Sequence, residues 1–278
     1  MWKSIVTTLL LVLPLAGCRT QPDSGKPFAF GVMSDIQYAD KDISGPRHYR
    51  TALERLQACV DELNQHDLAF TIQIGDIIDG YESEEHSLAD LDAALGIYNQ
   101  LNMPKYHVIG NHCLNAGEEQ LKQRLNLARF YYDFTLPEAK DWRFIVLSGT
   151  DAGGGILGEE QLAWLEETLE KAGAAGQKVI VFNHYALLKA AAPNVRMEEP
   201  EPVLKLLEDA GCVVAYFAGH DHAGGYAYQN GIHHITMRGM IEAPEQNAFA
   251  IIEVGPEGLK ETGFGKEPGR DLPFVMGQ

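Results

Sequence analysis

Five short apolar runs in the 278-residue chain are each followed at once by residues able to bind a cation. Ser34-Asp35-Ile36-Gln37 closes the first, Gly75-Asp76-Ile77-Ile78-Asp79-Gly80 the second and Gly110-Asn111-His112 the third; Asn183-His184 and Gly219-His220-Asp221-His222 close two later ones. One Asp or His at such a place is ordinary, because these side chains commonly serve turns and helix caps. Five such places on one chain would converge on a single rim. Carboxylate, carboxamide and imidazole donors suit divalent ions of the manganese, iron or zinc kind, whereas a thiolate-rich set would suit structural zinc. With more than six candidate ligands, one ion is over-supplied and two are plausible. Two ions about 3.5–4 Å apart serve displacement at phosphorus, polarising oxygens and turning water into a nucleophile. The charges agree: two divalent ions outweigh Asp35, Asp76 and a hydroxide between them, leaving a positive seat for phosphate.

Positioning such groups requires the runs to be strands. Residues 28–33, 70–74, 106–109, 144–147, 179–182 and 213–217 are brief, rich in branched or aromatic side chains, and bounded by Gly or polar residues. Between them Leu53, Leu56, Val60 and Leu63 recur at helical spacing, as do Leu162, Leu165 and Leu169, and Pro202 fits the first turn of a helix through Leu206 and Leu207. This alternation implies parallel sheet built from βαβ units, with ligands gathered beyond the carboxyl ends of the strands. After Phe217 the pattern changes to strands only, at 226–228, 233–236 and 249–254.

Composition narrows the function. The chain has 45% hydrophobic residues and 22 Lys+Arg against 39 Asp+Glu, an ordinary globular make-up with a net charge of −17. That charge excludes sequence-independent binding to nucleic acid, whose affinity comes from Lys and Arg releasing counterions. At the start, Lys3 and the apolar run 5–16 are too short for a spanning helix and read as an export signal. Leu15-Ala16-Gly17-Cys18 resembles the bacterial lipoprotein box. The expected division is a signal at 1–17, a lipidated Cys18 with a polar tether to residue 27, and one domain over 28–278, placing the protein at an extracytoplasmic membrane face. Cys59, Cys113 and Cys212 then form an odd set without disulfide spacing; Cys59 and Cys212 read as buried thiols.

The ordered set D-x-Q, G-D-x-x-D-G, G-N-H, N-H and G-H-x-H, spanning Asp35 to His222, resembles the calcineurin-like metallophosphoesterase superfamily. The stretches Asp35-Ile36-Gln37-Tyr38-Ala39-Asp40, Gly75 to Tyr81, Gly219 to Tyr226 and Gly239 to Pro244 narrow the resemblance to the manganese-dependent ADP-ribose/CDP-alcohol diphosphatase branch, of which Gln37 in the first motif is typical. The resemblance implies an α/β fold, a four-layer αββα sandwich of two mixed sheets flanked by helices. It implies that Asp35, Gln37, Asp76 and His222 hold one metal and that Asp76, Asn111, His184 and His220 hold the other. His112 would stabilise the transition state or protonate the leaving oxygen, oriented by Asp79. The metal would be manganese, with iron or zinc as alternatives, and water would attack a diphosphate bond of a nucleotide conjugate, ADP-ribose giving AMP and ribose 5-phosphate. A phosphomonoesterase or phosphodiesterase using the same metals is the alternative, and a non-catalytic module of the same fold a further one.

Two features depart from the branch. Cys113 follows G-N-H where Glu is usual, and residues 150–158 form a short glycine-rich stretch where eukaryotic members carry a longer insertion. Arg47 and Arg50 open the helix after the first strand, and Tyr38, Tyr81 and Tyr226 adjoin ligand motifs; Arg50 and the three tyrosines are substrate-binding candidates, with a solvated face or plain packing as the other readings. Surface or hydrogen-bonded structural roles fit His48, His66, His86, His107, His233 and His234, and Glu82, Glu84 and Glu85 read as a solvated face.

Overall fold

The computed structural model describes residues 26–151, 154–189, 191–242 and 245–274, so the export signal, Cys18 and most of the tether lie outside the described residues. The first half of the chain runs β1 (Phe28–Met33), α1 (Ala52–Leu63), β2 (Phe70–Ile74), α2 (Glu84–Tyr98), β3 (Lys105–Val108) and α3 (Glu118–Leu125), with the three strands parallel neighbours. The second half contributes β4 (Tyr132–Leu136), β5 (Ala139–Val146), α4 (Glu159–Ala174), β6 (Lys178–Phe182), α5 (Pro200–Ala210), β7 (Val213–Ala218), β8 (Gly225–Gln229) and β9 (Ile232–Thr236). These strands make a second sheet in the order β4-β5-β6-β7-β9-β8, parallel inside and antiparallel at both edges. The chain then returns to the first sheet. There β10 (Ala248–Val254) runs antiparallel to β1, followed outward by β11 (Gly258–Gly265) and β12 (Arg270–Pro273).

Period-two alternation in β1 explains the layering. Phe30 and Val32 enter the core between the sheets, while Ala29 and Met33 face the core under α1 and α2. A third core packs the second sheet against α4 and α5, completing helix, sheet, sheet, helix. Aromatic rings dominate the middle layer: Phe30 stacks on Phe70 with centroids 4.8 Å apart, and Phe70 meets Phe144 edge-on at 4.9 Å. Contacts of this kind contribute about 0.5–1.5 kcal/mol each beyond area burial.

The sequence patterns miss α2, α3, β4, β11 and β12. In α2, Ser87 and Asp90 occupy the buried face with Leu91, Ala94 and Tyr98, so polar letters interrupt an apolar stripe that is sterically present. The helix starts where Ser83 Oγ accepts from His86 N at 3.3 Å, and Glu82, Glu84 and Glu85 are exposed, as read. β11 and β12 carry charge at inward positions: Glu261 of β11 and Glu267 of the turn between them are buried around Arg270 of β12, whose Nη1 lies 2.5 Å from Glu261 Oε2 and 3.2 Å from Glu267 Oε1. Burial outweighs the guanidinium and pushes the Glu261 carboxyl up to about 7. Cys59 is buried as expected, whereas Cys212 lies just before β7 and is half-buried. No helix of the described residues is long and apolar enough to cross a membrane.

Candidate metal centre

The motifs begin where β1, β2, β3, β6 and β7 end, and turns bring their side chains to one rim. Asp35, Gln37, Asp76 and His220 take φ values of 50°, 44°, 52° and 65°, the left-handed region that side chains other than Gly seldom occupy. Backbone bonds continue past the strands to hold these turns: Asp35 N donates to Gly75 O at 3.2 Å and Gln37 N to Asp76 O at 2.8 Å. Two glycines are required by close approach. A Cβ at Gly110 would sit 2.2 Å from Asp76 Oδ1, and one at Gly219 would sit 2.0 Å from Ser34 Oγ.

Each buried aspartate has one oxygen anchored and the other presented. Asp35 Oδ2 accepts from Ser34 Oγ at 2.5 Å and His220 N at 3.0 Å, which leaves Oδ1 facing His222 Nε2 at 3.2 Å. Asp76 Oδ1 accepts from His112 N at 3.0 Å, and its Oδ2 meets His184 Nε2 at 3.1 Å and Gln37 Nε2 at 3.3 Å. The histidines follow the same logic. His184 Nδ1 donates to Ile74 O at 3.0 Å, while His222 Nδ1 lies 3.0 Å from Glu242 Oε1, so both rings aim Nε2 at a carboxylate. Fixing one ring nitrogen by an oxygen acceptor is how proteins orient a metal-binding imidazole.

Electrostatics select positive charge here. Burial pushes both aspartates up, but His222 beside Asp35 and His184 beside Asp76 outweigh it and hold both below the usual carboxylate range. Burial pushes His184 and His222 down; Asp76 and Asp35 reverse this and raise each to about 9. His220, with Nδ1 only 3.1 Å from His184 Nε2, is lowered to about 4 by burial and its neighbour's charge. Divalent ions satisfy the same demand, and ligand atoms of Asp76, His184 and His220 already lie within 4.8 Å of one another. Gln37 Oε1 and Asn111 Oδ1 are buried acceptors without a donor, which fits cation binding.

His112 differs from its expected arrangement in one respect. Its Nδ1 donates to the backbone carbonyl of Asp79 at 2.5 Å, while the Asp79 carboxylate stands 3.6 Å away. That carboxylate is engaged by Lys41 and lies 3.9 Å from Arg47 Nη1. Arg47 also approaches Glu242 at 3.7 Å, linking the Asp79 turn to the residue that fixes His222. Ser34, Lys41 and Glu242 went unassigned in the sequence, although Glu242 belongs to the G-M-I-E stretch that carried the resemblance. Cys113 is buried, and burial pushes its thiol up to about 12, so it stays protonated beside His112.

Of the substrate-binding candidates, Arg50, Tyr38 and Tyr81 lie on one flank, Arg50 near enough for its charge to be felt by both phenols, while Tyr226 sits on β8. Arg50 is exposed and held by Asp40 at 2.6 Å and by Asp42. Tyr81 packs under Lys41 with Tyr49, Tyr38 forms a bridge to Ile78, and Tyr226 bonds His233 through its hydroxyl at 3.0 Å. Of the remaining histidines, His107 bonds Gln73 and His66 pairs with Glu62, structural roles as expected. A cleft of about 690 Å³ opens beside Asn111 and His220, formed mostly by residues after β6.

The family model for calcineurin-like phosphoesterases matches residues 28–224. A rice (Oryza sativa subsp. japonica) protein named manganese-dependent ADP-ribose/CDP-alcohol diphosphatase is 32% identical over 304 residues, covering 89% of this chain and 94% of its own. The human protein of that name is 27% identical over 321 residues, covering 90% and 94%. Among solved structures, a dimetal phosphatase from Danio rerio superposes with a TM-score of 0.82 at 25% identity, covering 89% of this chain and 99% of its own.

Proposed function

Since the chain belongs to the calcineurin-like phosphoesterase family and is a metal-dependent phosphohydrolase, we propose that it is a manganese-dependent diphosphatase acting on nucleotide diphosphate conjugates of the ADP-ribose or CDP-alcohol kind. The observation that carries the reading is the pair of buried aspartates, each locked at one oxygen and presenting the other to an imidazole, next to His220, which with Asn111 lines a cleft large enough for a nucleotide. Asp35, Gln37, Asp76 and His222 would hold one ion; Asp76, Asn111, His184 and His220 the other. Two divalent ions held by these residues would supply polarisation of a phosphoryl oxygen and a lowered pKa for water. The carboxamide of Gln37 favours manganese over softer ions.

The chain's own groups do the rest. His112 has Nδ1 committed to a carbonyl, so Nε2 is the atom that holds a proton for the departing oxygen. The Asp79 carbonyl sets the ring's orientation, and the Asp79 carboxylate anchors Lys41 and Arg47 beneath it.

Incubating manganese-loaded protein separately with ADP-ribose, CDP-choline, cyclic AMP and AMP, with products identified by mass, tests the substrate. AMP with ribose 5-phosphate, or CMP with phosphocholine, is expected. Release of inorganic phosphate alone would make the enzyme a phosphomonoesterase. Equal activity of wild type and Asp76→Asn on every substrate would make it a binding module.

The sequence also supports an exported lipoprotein held by Cys18 at an extracytoplasmic membrane face, with residues 28–278 acting as one domain. The return of β10 to pair with β1 favours the single unit. Mass analysis of detergent-extracted protein would reveal an acylated Cys18 as the first residue; an unmodified N-terminus would end this part of the reading.

A further inference from the structure

The segment after β6 carries two cations that nothing else in the site uses. Lys189 and Arg196 line the cleft that also includes Asn111 and His220. Among the described residues, neither stands within ion-pair distance of a carboxylate, in a chain whose net charge is −17. Arg196 Nε is buried without a hydrogen-bond partner. A buried donor left unmet costs free energy that a bound acceptor restores.

The backbone presenting Arg196 is fixed. Arg196 forms a parallel bridge with Ala186, and Met197 N donates to Ala186 O at 2.9 Å. Ala192 N donates to Asp221 Oδ2 at 2.9 Å, which ties the segment to the turn that bears His220 and His222. Gly154, from the short glycine-rich stretch, also lines the cleft, packed close to Glu198, whose Oε1 would stand 3.2 Å from a Cβ there.

Two carboxylates, Glu198 and Glu201, face the same space, and Glu201 lies in the first turn of α5, where the helix dipole offsets its charge. Carboxylates repel a bare polyanion but accept hydroxyl groups, so this wall suits a phosphate that carries a sugar. We propose that Lys189 and Arg196 form the seat for the second, unattacked phosphate of a nucleotide diphosphate conjugate, an inference that rests on the diphosphatase reading. Each makes a charge-assisted contact to phosphate oxygen, Arg196 through its planar fork.

The test compares kcat/KM for ADP-ribose with kcat/KM for bis(p-nitrophenyl) phosphate, which has a single phosphorus. Manganese-loaded wild type, Lys189→Ala, Arg196→Ala and the double variant are measured. The ratio of the two constants should fall about ten-fold in each single variant, the scale of one lost hydrogen bond to a charged group, and further in the double variant. An unchanged ratio would overturn the assignment. Should wild type not cleave ADP-ribose, the diphosphatase reading fails by itself, and the seat is judged by calorimetry with non-hydrolysable α,β-methylene-ADP. There an affinity loss of about ten-fold or more in the double variant supports the seat, and affinity equal to wild type removes it.

Discussion

After β1, Lys41 is held by Asp79, Arg47 lies between Asp79 and Glu242, and Arg50 is clasped by Asp40 and Asp42; after β6, Lys189 and Arg196 meet no carboxylate among the described residues. The two flanks of one rim thus use the same residue types for different ends. Charges on the first flank are neutralised within the protein and brace the turns that carry Asp79, His112 and His222. Those on the second remain available to an incoming anion. A basic residue near a metal site says little until its partners are known, because a paired cation has already committed its charge.

The largest effect should come from the aspartate common to both proposed ion sites. Asp76→Asn is expected to lose more than a hundred-fold in kcat together with most bound manganese, exceeding the roughly 10–100-fold typical of outer partners; elemental analysis beside the rate assay checks both. His112→Ala should lower kcat by about 10²–10⁴-fold while manganese content stays near wild type, since proton transfer affects rate and not the cage. Metal loss equal to that of His184→Ala would make His112 a ligand instead. On the braced flank, Glu242→Ala frees His222 Nδ1 and should weaken manganese binding about 10–100-fold. A normal metal titration of that variant would mean the first flank does not brace the site.

Pairing can be probed away from the rim as well. Glu261 shares Arg270 with Glu267 and has its folded pKa raised to about 7, above the ordinary glutamate value, so the folded state binds more protons than the unfolded state between the two. Its contribution to stability is therefore complete below the unfolded value and lost as pH rises through about 7. Glu261→Gln should flatten this part of the stability profile. Urea melts from pH 5 to 8 that decline equally in both proteins would discount it.

What the sequence disclosed depended on how local the signal was. Asp35, Asp76, Asn111, His184 and His220 each stand within three residues of an apolar strand, so residue type and strand end appear together in a short window. The helix α2 hid because Ser87 and Asp90 take buried places, and β11 because Glu261 points inward. Orientation of His112 by the Asp79 carbonyl was illegible for a deeper reason: every residue has a carbonyl, so no letter announces one. Lys189 and Arg196 gave no pattern of their own, and only the folded path past Ala186 and Asp221 sets them beside Asn111 and His220.

The positive φ angles at Gln37 and His220 carry a consequence for laboratory evolution. A selection that rewards only heat resistance in chelator-treated cells would enrich glycine at the partly exposed His220, because glycine adopts that geometry without the roughly 1–2 kcal/mol penalty borne by other residues, whereas at the buried Gln37 the cavity left behind offsets the gain. The survivors would be hardier and inert.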